Sequence, residues 1–264
     1  MMAGDQPILE ASSVTIRFGG LTAVSDFNMD IRPHELVGLI GPNGAGKTTI
    51  FNMLTGVYKP TEGEIKIAGQ STRGFKPYQI TSLGVARTFQ NIRLFKDLSV
   101  LDNVRIGGHI HYKYAGTVAV LHTNRFHEAE SVAEEEALRL LEIFGLRSRA
   151  HYNAKNLPYG DQRRLEIARA LAVRPKLLLL DEPAAGLNTG ETLELMNKIH
   201  EIRDRFGLAI LLIEHNMELV MGICERIVVL SFGKTIAQGP PDAIRSDPTV
   251  IEAYLGEPME AAGL

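Results

Sequence analysis

Apolar and polar positions follow two rhythms along this chain. Near the N-terminus they alternate: Val14, Ile16 and Phe18 are separated by polar neighbours, as are Phe27, Met29 and Ile31. Period-two alternation predicts half-buried antiparallel strands over residues 8–18 and 24–31, with Gly19-Gly20 in the turn between them. Gly63 to Gly69 repeats the pattern in a shorter strand. Elsewhere apolar residues run together, at Leu36–Ile40, Leu177–Leu180 and Leu208–Ile213. Short runs without alternation suit parallel strands covered on both faces. Pro77 to Leu83 predicts a short helix and Gly84 to Phe89 a strand that ends at Gln90. From there to residue 172 the pattern is helical, with Leu138, Leu141 and Ile143 on one helix. A helix over 190–206, strands over 226–231 and 235–238 and a short helical tail follow. Strands alternating with helices make the core α/β, with a β-rich layer contributed by the N-terminus.

The strand at 36–40 runs directly into Gly41-Pro42-Asn43-Gly44-Ala45-Gly46-Lys47-Thr48-Thr49, and Ile50 to Leu54 reads as the first turns of a helix. This is the phosphate-loop pattern G-x-x-x-x-G-K-[S/T] in its strand–loop–helix setting. Glycines let the backbone fold so tightly that successive N–H groups face one phosphate chain. The opening helix adds the positive end of its dipole and Lys47 adds a full charge. The loop points to a nucleoside triphosphate.

Composition removes other classes. The 264 residues carry a formal net charge of -3, without the basic bias of a nucleic-acid binder. Cys224 is the sole cysteine, so no intrachain disulfide is expected and a reducing compartment is the simplest setting. Met1-Met2-Ala3-Gly4-Asp5 lacks the features of a secretory signal, and the longest apolar runs are strand-sized, so the chain is not expected to cross a membrane by itself. About twenty-five residues beyond Gly239 are too few for a further regulatory domain. Glu134-Glu135-Glu136 reads as a solvated helix face. His109, His111, His122 and His127 lack the cysteine or carboxylate spacing of a metal site and read as surface residues.

A second nucleotide element is the apolar run ending in Asp181-Glu182. In phosphate-loop proteins a carboxylate at such a strand end helps hold Mg²⁺ together with the loop hydroxyl, here Thr48. Asp181 suits that role, and Glu182 can face the γ-phosphate and polarise an attacking water. Further stretches resemble the ATP-binding subunits of ABC transporters. Gln90 matches their Q-loop glutamine. Leu157-Pro158-Tyr159-Gly160-Asp161, before a helix over 165–172, stands at the LSGGQ signature. Ala185-Gly186-Leu187-Asn188 matches the D-loop and His215 the switch histidine.

The resemblance covers almost the whole chain. It implies one ABC ATPase domain over residues 1–264, a P-loop NTPase of α/β class. Residues 1–90 plus 173–264 would form the nucleotide core with an antiparallel β subdomain, and about 91–172 an α-helical signature subdomain. It also implies site roles. Phe18 would stack on adenine, and Gly41 to Thr49, Gln90 and His215 would bind ATP. Thr48, Gln90 and Asp181 would hold Mg²⁺, while Glu182, His215 and Lys47 would be catalytic. Leu157, Pro158, Tyr159, Gly160 and Asp161 would face ATP on an opposite subunit, the signature helix offering its N-terminal amides. A monomer would then hold ATP in an incomplete site.

LSGGQ here reads LPYGD. Pro158 has neither a hydroxyl nor an N–H to give a γ-phosphate, and a hydrogen bond to a charged group is worth about 1.5–3 kcal/mol. Either amides further along compensate, or this signature serves a weak site in an asymmetric pair. Asn188 for the usual D-loop aspartate is a milder change.

Within the family, Arg17 to Val24, Ala86 to Phe95, Asp181 to Asn188, Ile213 to Met217 and Ala253 to Gly256 resemble the first of the two ATPase types of bacterial branched-chain amino-acid importers. The partners implied are a second ATPase, two membrane permeases and, indirectly, a substrate-binding protein, with the chain cytoplasmic and peripheral on the inner face of the membrane. A helical insert around 108–127 is compatible with this subgroup. Asn91 to Val104, with Leu94, Phe95 and Leu98, is the expected permease-docking surface. The alternatives are the ATPase of a lipopolysaccharide-export transporter and a soluble, non-transport ABC ATPase; a phosphate-loop kinase would leave Gln90, the signature and His215 unexplained.

Overall fold

The computed structural model describes residues 6–111 and 124–255. The alternating N-terminal segments pair as a hairpin of β1 (Leu9–Phe18) and β2 (Leu21–Ile31), with Leu9 opposite Ile31 and Ala11 opposite Met29. β4 (Glu62–Ile67) pairs antiparallel with the other edge of β1, and the two-residue β5 (Gln70–Ser71) completes a sheet of order β2-β1-β4-β5.

The non-alternating runs build a second sheet. It contains β3 (Leu36–Ile40), β6 (Val85–Arg87), β7 (Leu177–Asp181), β8 (Ala209–Ile213), β9 (Arg226–Ser231) and β10 (Lys234–Gly239), in the order β10-β9-β3-β8-β7-β6. Its neighbours are parallel except for the β9–β10 hairpin. Every residue of β3, β7 and β8 is buried. Successive side chains on these strands still point to opposite faces. Val37, Leu39, Leu177, Leu179 and Leu211 join the core shared with the antiparallel sheet and α1 (Lys47–Leu54). Leu36, Ile40, Leu178, Leu180, Ile210 and Leu212 join the core shared with the helices of the other side.

Those helices are α3 (Val100–Gly108), α4 (Asn124–Ile143), α5 (Tyr159–Leu171), α6 (Thr189–Phe206) and α7 (Met217–Ile223). α2 (Pro77–Ser82) lies before β6, and α8 (Pro241–Arg245) and α9 (Pro248–Leu255) close the described chain. α3 starts at Ser99, whose hydroxyl accepts the Asp102 N–H at 2.9 Å. Its Gly107 lets it lie against α5, since a Cβ there would come within 2.4 Å of the Arg169 carbonyl oxygen. Among the described residues no helix is long and apolar enough to cross a membrane.

Several boundaries differ from the sequence reading; β2, for one, begins at Leu21 rather than at residue 24. The strand after Gly84 stops at Arg87, and Thr88 makes a last backbone bond to Leu179 before the chain turns away. Helix α5 begins at Tyr159 rather than Leu165, because Pro158 at the N-cap needs no N–H partner and leads into the helix. His109 and His111 are exposed; His122, the side chain of His127 and most of the 108–127 insert lie outside the described residues.

Leu178 is fully buried between the sheet and the helical side. Leu178→Ala is expected to lower stability by about 2–5 kcal/mol, read as a lower urea midpoint with the slope unchanged.

Candidate active site

Because β3, β6, β7 and β8 run parallel, their C-terminal ends open on one edge, the place where α/β sheets bind ligands. Four chain segments meet there: the loop after β3, Thr88–Gln90, Asp181–Glu182 and Glu214–His215.

The loop is shaped by glycines at two crowded, positive-φ positions. A Cβ on Gly41 would sit 2.1 Å from the Leu230 carbonyl oxygen, and Gly46 caps α1 at φ 104° with Ala23 behind it. α1 has no side-chain cap and no acidic residue in its first turn, so its leading amides and positive dipole end are available to an anion. Thr48 is exposed and Thr49 half-buried on that turn, with Asn43 and Gly44 exposed at the loop tip. Lys47 is buried, and its ammonium donates to the carbonyls of Gly41 and of Pro42, the latter at 2.9 Å. Ala45 is tied at both ends, donating to Pro42 and accepting from the Gly233 N–H.

Asp181 is buried and paired with Arg87 Nη2 at 2.7 Å. The other guanidinium terminus donates to Asn52 Oδ1 of α1 at 2.7 Å, and Phe51 and Phe89 flank the plane at 5.3 and 5.1 Å. Arg87 was not read as a site residue from the sequence. The signal was there: an arginine in a short apolar strand must find a buried acceptor.

Glu182 follows with a left-handed backbone, φ 46°, fixed by its N–H to the Ile213 carbonyl at 2.9 Å. Its Oε2 accepts from Gln90 Nε2 at 2.8 Å and lies 3.6 Å from His215 Nδ1. The structure therefore brings Gln90, Glu182 and His215 onto one carboxylate oxygen. Behind them is Glu214, buried, which accepts the N–H of Ala184 at 2.9 Å and of His215 at 3.3 Å. Burial pushes its carboxyl above the ordinary range. Asn216 caps α7 by accepting the Leu219 N–H.

Phe18 stands apart from this cluster at the tip of β1, 45% exposed, its ring meeting Tyr58 edge-on at 5.2 Å. The signature residues also make no direct bond to the cluster. Leu157 is buried, Pro158 caps α5, Tyr159 and Gly160 open it, and Asp161 pairs with Arg149 and Arg164. The connection is Arg163, fully buried, whose fork donates to the Phe89 carbonyl at 2.7 Å and the Gln90 carbonyl at 2.8 Å. Glu166 pairs with it at 3.0 Å and accepts the Arg93 N–H at 3.1 Å, while burial raises the Glu166 carboxyl. Arg163 and Glu166 were missed because they look like one more charged helix pair.

The family model described as ABC transporter matches residues 24–185, and one described as branched-chain amino acid ATP-binding cassette transporter matches residues 234–260. The chain is 50% identical over 252 residues to the high-affinity branched-chain amino acid transport ATP-binding protein LivG of Escherichia coli K12, covering 96% of this chain and 99% of that one. It is 34% identical over 253 residues to the lipopolysaccharide export system ATP-binding protein LptB of Acidithiobacillus ferridurans, covering 96% and 98%. The solved ADP conformation of MJ1267, an ATP-binding cassette of an ABC transporter, superposes with a TM-score of 0.82 at 28% identity, covering 96% of this chain and all of that one.

Arg87→Met would strand the buried Asp181 carboxylate; the expected cost is about 3–5 kcal/mol in urea unfolding. For Glu214 the sign follows from its raised folded value: the neutral form favours the fold, so its contribution is greatest below the ordinary value of 4.5 and falls as pH rises above it. Between about pH 4.5 and about pH 7.5 the stability of Glu214→Gln should therefore rise relative to wild type, measured by denaturation at both pH values.

Proposed function

This chain belongs to the ABC transporter family of ATP-binding proteins, and on that premise we propose that it is the ATP-hydrolysing subunit of an importer for branched-chain amino acids. The observation that carries the reading is the meeting of Gln90, Glu182 and His215 on one carboxylate oxygen at the sheet edge that also holds the phosphate loop. The C-terminal match over 234–260 and the greater identity to the branched-chain relative favour import of these amino acids over lipopolysaccharide export.

ATP is the substrate. The triphosphate would lie along Gly41 to Thr49, where Lys47 exchanges its carbonyl partners for phosphate oxygens and the α1 amides receive the negative charge. Thr48, Gln90 and Asp181 offer a hydroxyl, an amide and a carboxylate, the oxygen donors that Mg²⁺ prefers. When bound, Mg²⁺ offsets the charge of the β- and γ-phosphates. Glu182 would accept a proton from the attacking water, which requires the Gln90 hydrogen bond to be released from its Oε2. His215 would hydrogen-bond the γ-phosphate, and Phe18, steadied by Tyr58, would stack on adenine.

The site is completed by a second ABC ATPase whose signature faces this loop, while Pro158 to Asp161 faces the partner's ATP. A membrane permease would dock over Asn91 to Val104, beside a cavity of about 430 Å³ lined in part by Phe89, Phe95 and Ile106. Through that contact the subunit would be held on the inner face of the membrane, with the binding protein engaged only indirectly.

In the assembled transporter, Glu182→Gln should lower ATP hydrolysis by about 10²–10⁴-fold while ATP binding persists. Deleting the gene should abolish uptake of radiolabelled leucine, isoleucine and valine into cells. Unchanged hydrolysis by the variant, or unchanged uptake by the deletion strain, would overturn the proposal.

A further inference from the structure

Tyr159 stands where the family signature carries a glycine, and its side chain is not idle. The ring lies across Gly186 of the D-loop: a Cβ on Gly186 would be 3.0 Å from Tyr159 Cε1 and 3.4 Å from its hydroxyl oxygen. Gly186 has φ +80°, so both its backbone and its missing side chain accommodate the ring. The hydroxyl in turn accepts a long hydrogen bond, 3.4 Å, from Arg163 Nη2. That same nitrogen donates to the Gln90 carbonyl at 2.8 Å, and Nη1 donates to the Phe89 carbonyl at 2.7 Å.

The next residue continues the contact. A Cβ on Gly160 would be 2.9 Å from Glu191 Oε1, and Glu191 and Asn188 cap each other at 3.0 Å in both directions. The first turn of α5 therefore rests on residues 186–191, and the guanidinium one turn later holds residues 89–90. Arginine suits this junction because its planar fork satisfies two carbonyls at once and fixes the plane of both. Glu166 compensates the buried charge at Nη1, the nitrogen that also serves the Phe89 carbonyl, at 3.0 Å.

We propose that Tyr159 is a positioning residue that ties the signature helix to this chain's own D-loop and, through Arg163, to the backbone that carries Gln90. The proposal rests on the ATPase reading of these elements. A glycine at 159 would leave Gly186 uncovered and take one partner from Arg163 Nη2. The tyrosine adds its ring to the contacts that Gly160 makes with Glu191 and that Arg163 makes with residues 89 and 90. Its effect is on the placement of Gln90 and the D-loop after ATP has bound, so it acts on turnover rather than on affinity.

The test uses the complete transporter with both ATPases and its permeases, and measures kcat and KM for ATP beside the thermal midpoint of each variant. Tyr159→Gly should lower kcat by about tenfold, chiefly because the ring packed on Gly186 is lost and the D-loop and Gln90 are misplaced, with KM within about twofold. Tyr159→Phe keeps the ring on Gly186 and should recover most of that loss. Gly186→Ala should also lower kcat, and should cost less in the Tyr159→Gly background, where no ring opposes the added methyl. Tyr159→Leu replaces the glycine variant should that one fail to fold. A folded Tyr159→Gly or Tyr159→Leu with kcat within about twofold of wild type, or strict additivity with Gly186→Ala, would overturn the proposal. Lys47→Ala is measured alongside: full hydrolysis by that variant would sink the phosphate-loop reading itself, whatever Tyr159 does.

Discussion

The central sheet is covered on both faces, and most of the molecule's chemistry follows from that constraint. With every residue of β3, β7 and β8 buried, the strands have no solvent side on which to carry polar groups. Functional polar residues can stand only where the strands end. Parallel pairing puts those ends on one edge, so Gly41, Asp181, Glu182, Glu214 and His215 are gathered from distant parts of the chain without any dedicated scaffold. The same burial makes unpaired charge costly at the strand ends, where Arg87 answers Asp181 and two backbone N–H groups answer Glu214.

The polar groups of the site satisfy one another. Lys47 donates to the carbonyls of its own loop, and Gln90 occupies an oxygen of Glu182. ATP would therefore exchange hydrogen bonds rather than add them to bare donors, and the net gain of each exchange is small compared with its strength in isolation.

The fold and half of the site were legible in the sequence because their signals are local. Apolar runs reported the buried strands, alternation reported the hairpin, and Gly41 to Thr49 reported the phosphate loop within nine consecutive residues. Arg163, Glu166 and Glu214 were not legible as site residues, and Arg87 signalled only that it needs a buried acceptor, not which one. Arg87 meets Asp181 94 residues away and Arg163 meets Phe89 74 residues away, and no short-range pattern encodes such pairs. The start of α5 was misplaced because Pro158 reads as a breaker unless it is recognised as a cap. The tip of β6 was overextended because Thr88 to Gln90 keeps a strand-like composition after leaving the sheet.

The left-handed backbone of Glu182 has a consequence for how this position can vary. Non-glycine residues adopt that region at a cost, and asparagine or aspartate tolerates it better than glutamate does. Relaxing the turn with such a residue would shorten the side chain that reaches Gln90 and His215. The protein thus keeps a less comfortable residue where reach matters, and a library selected only for thermal stability would be drawn toward a shorter side chain at this position.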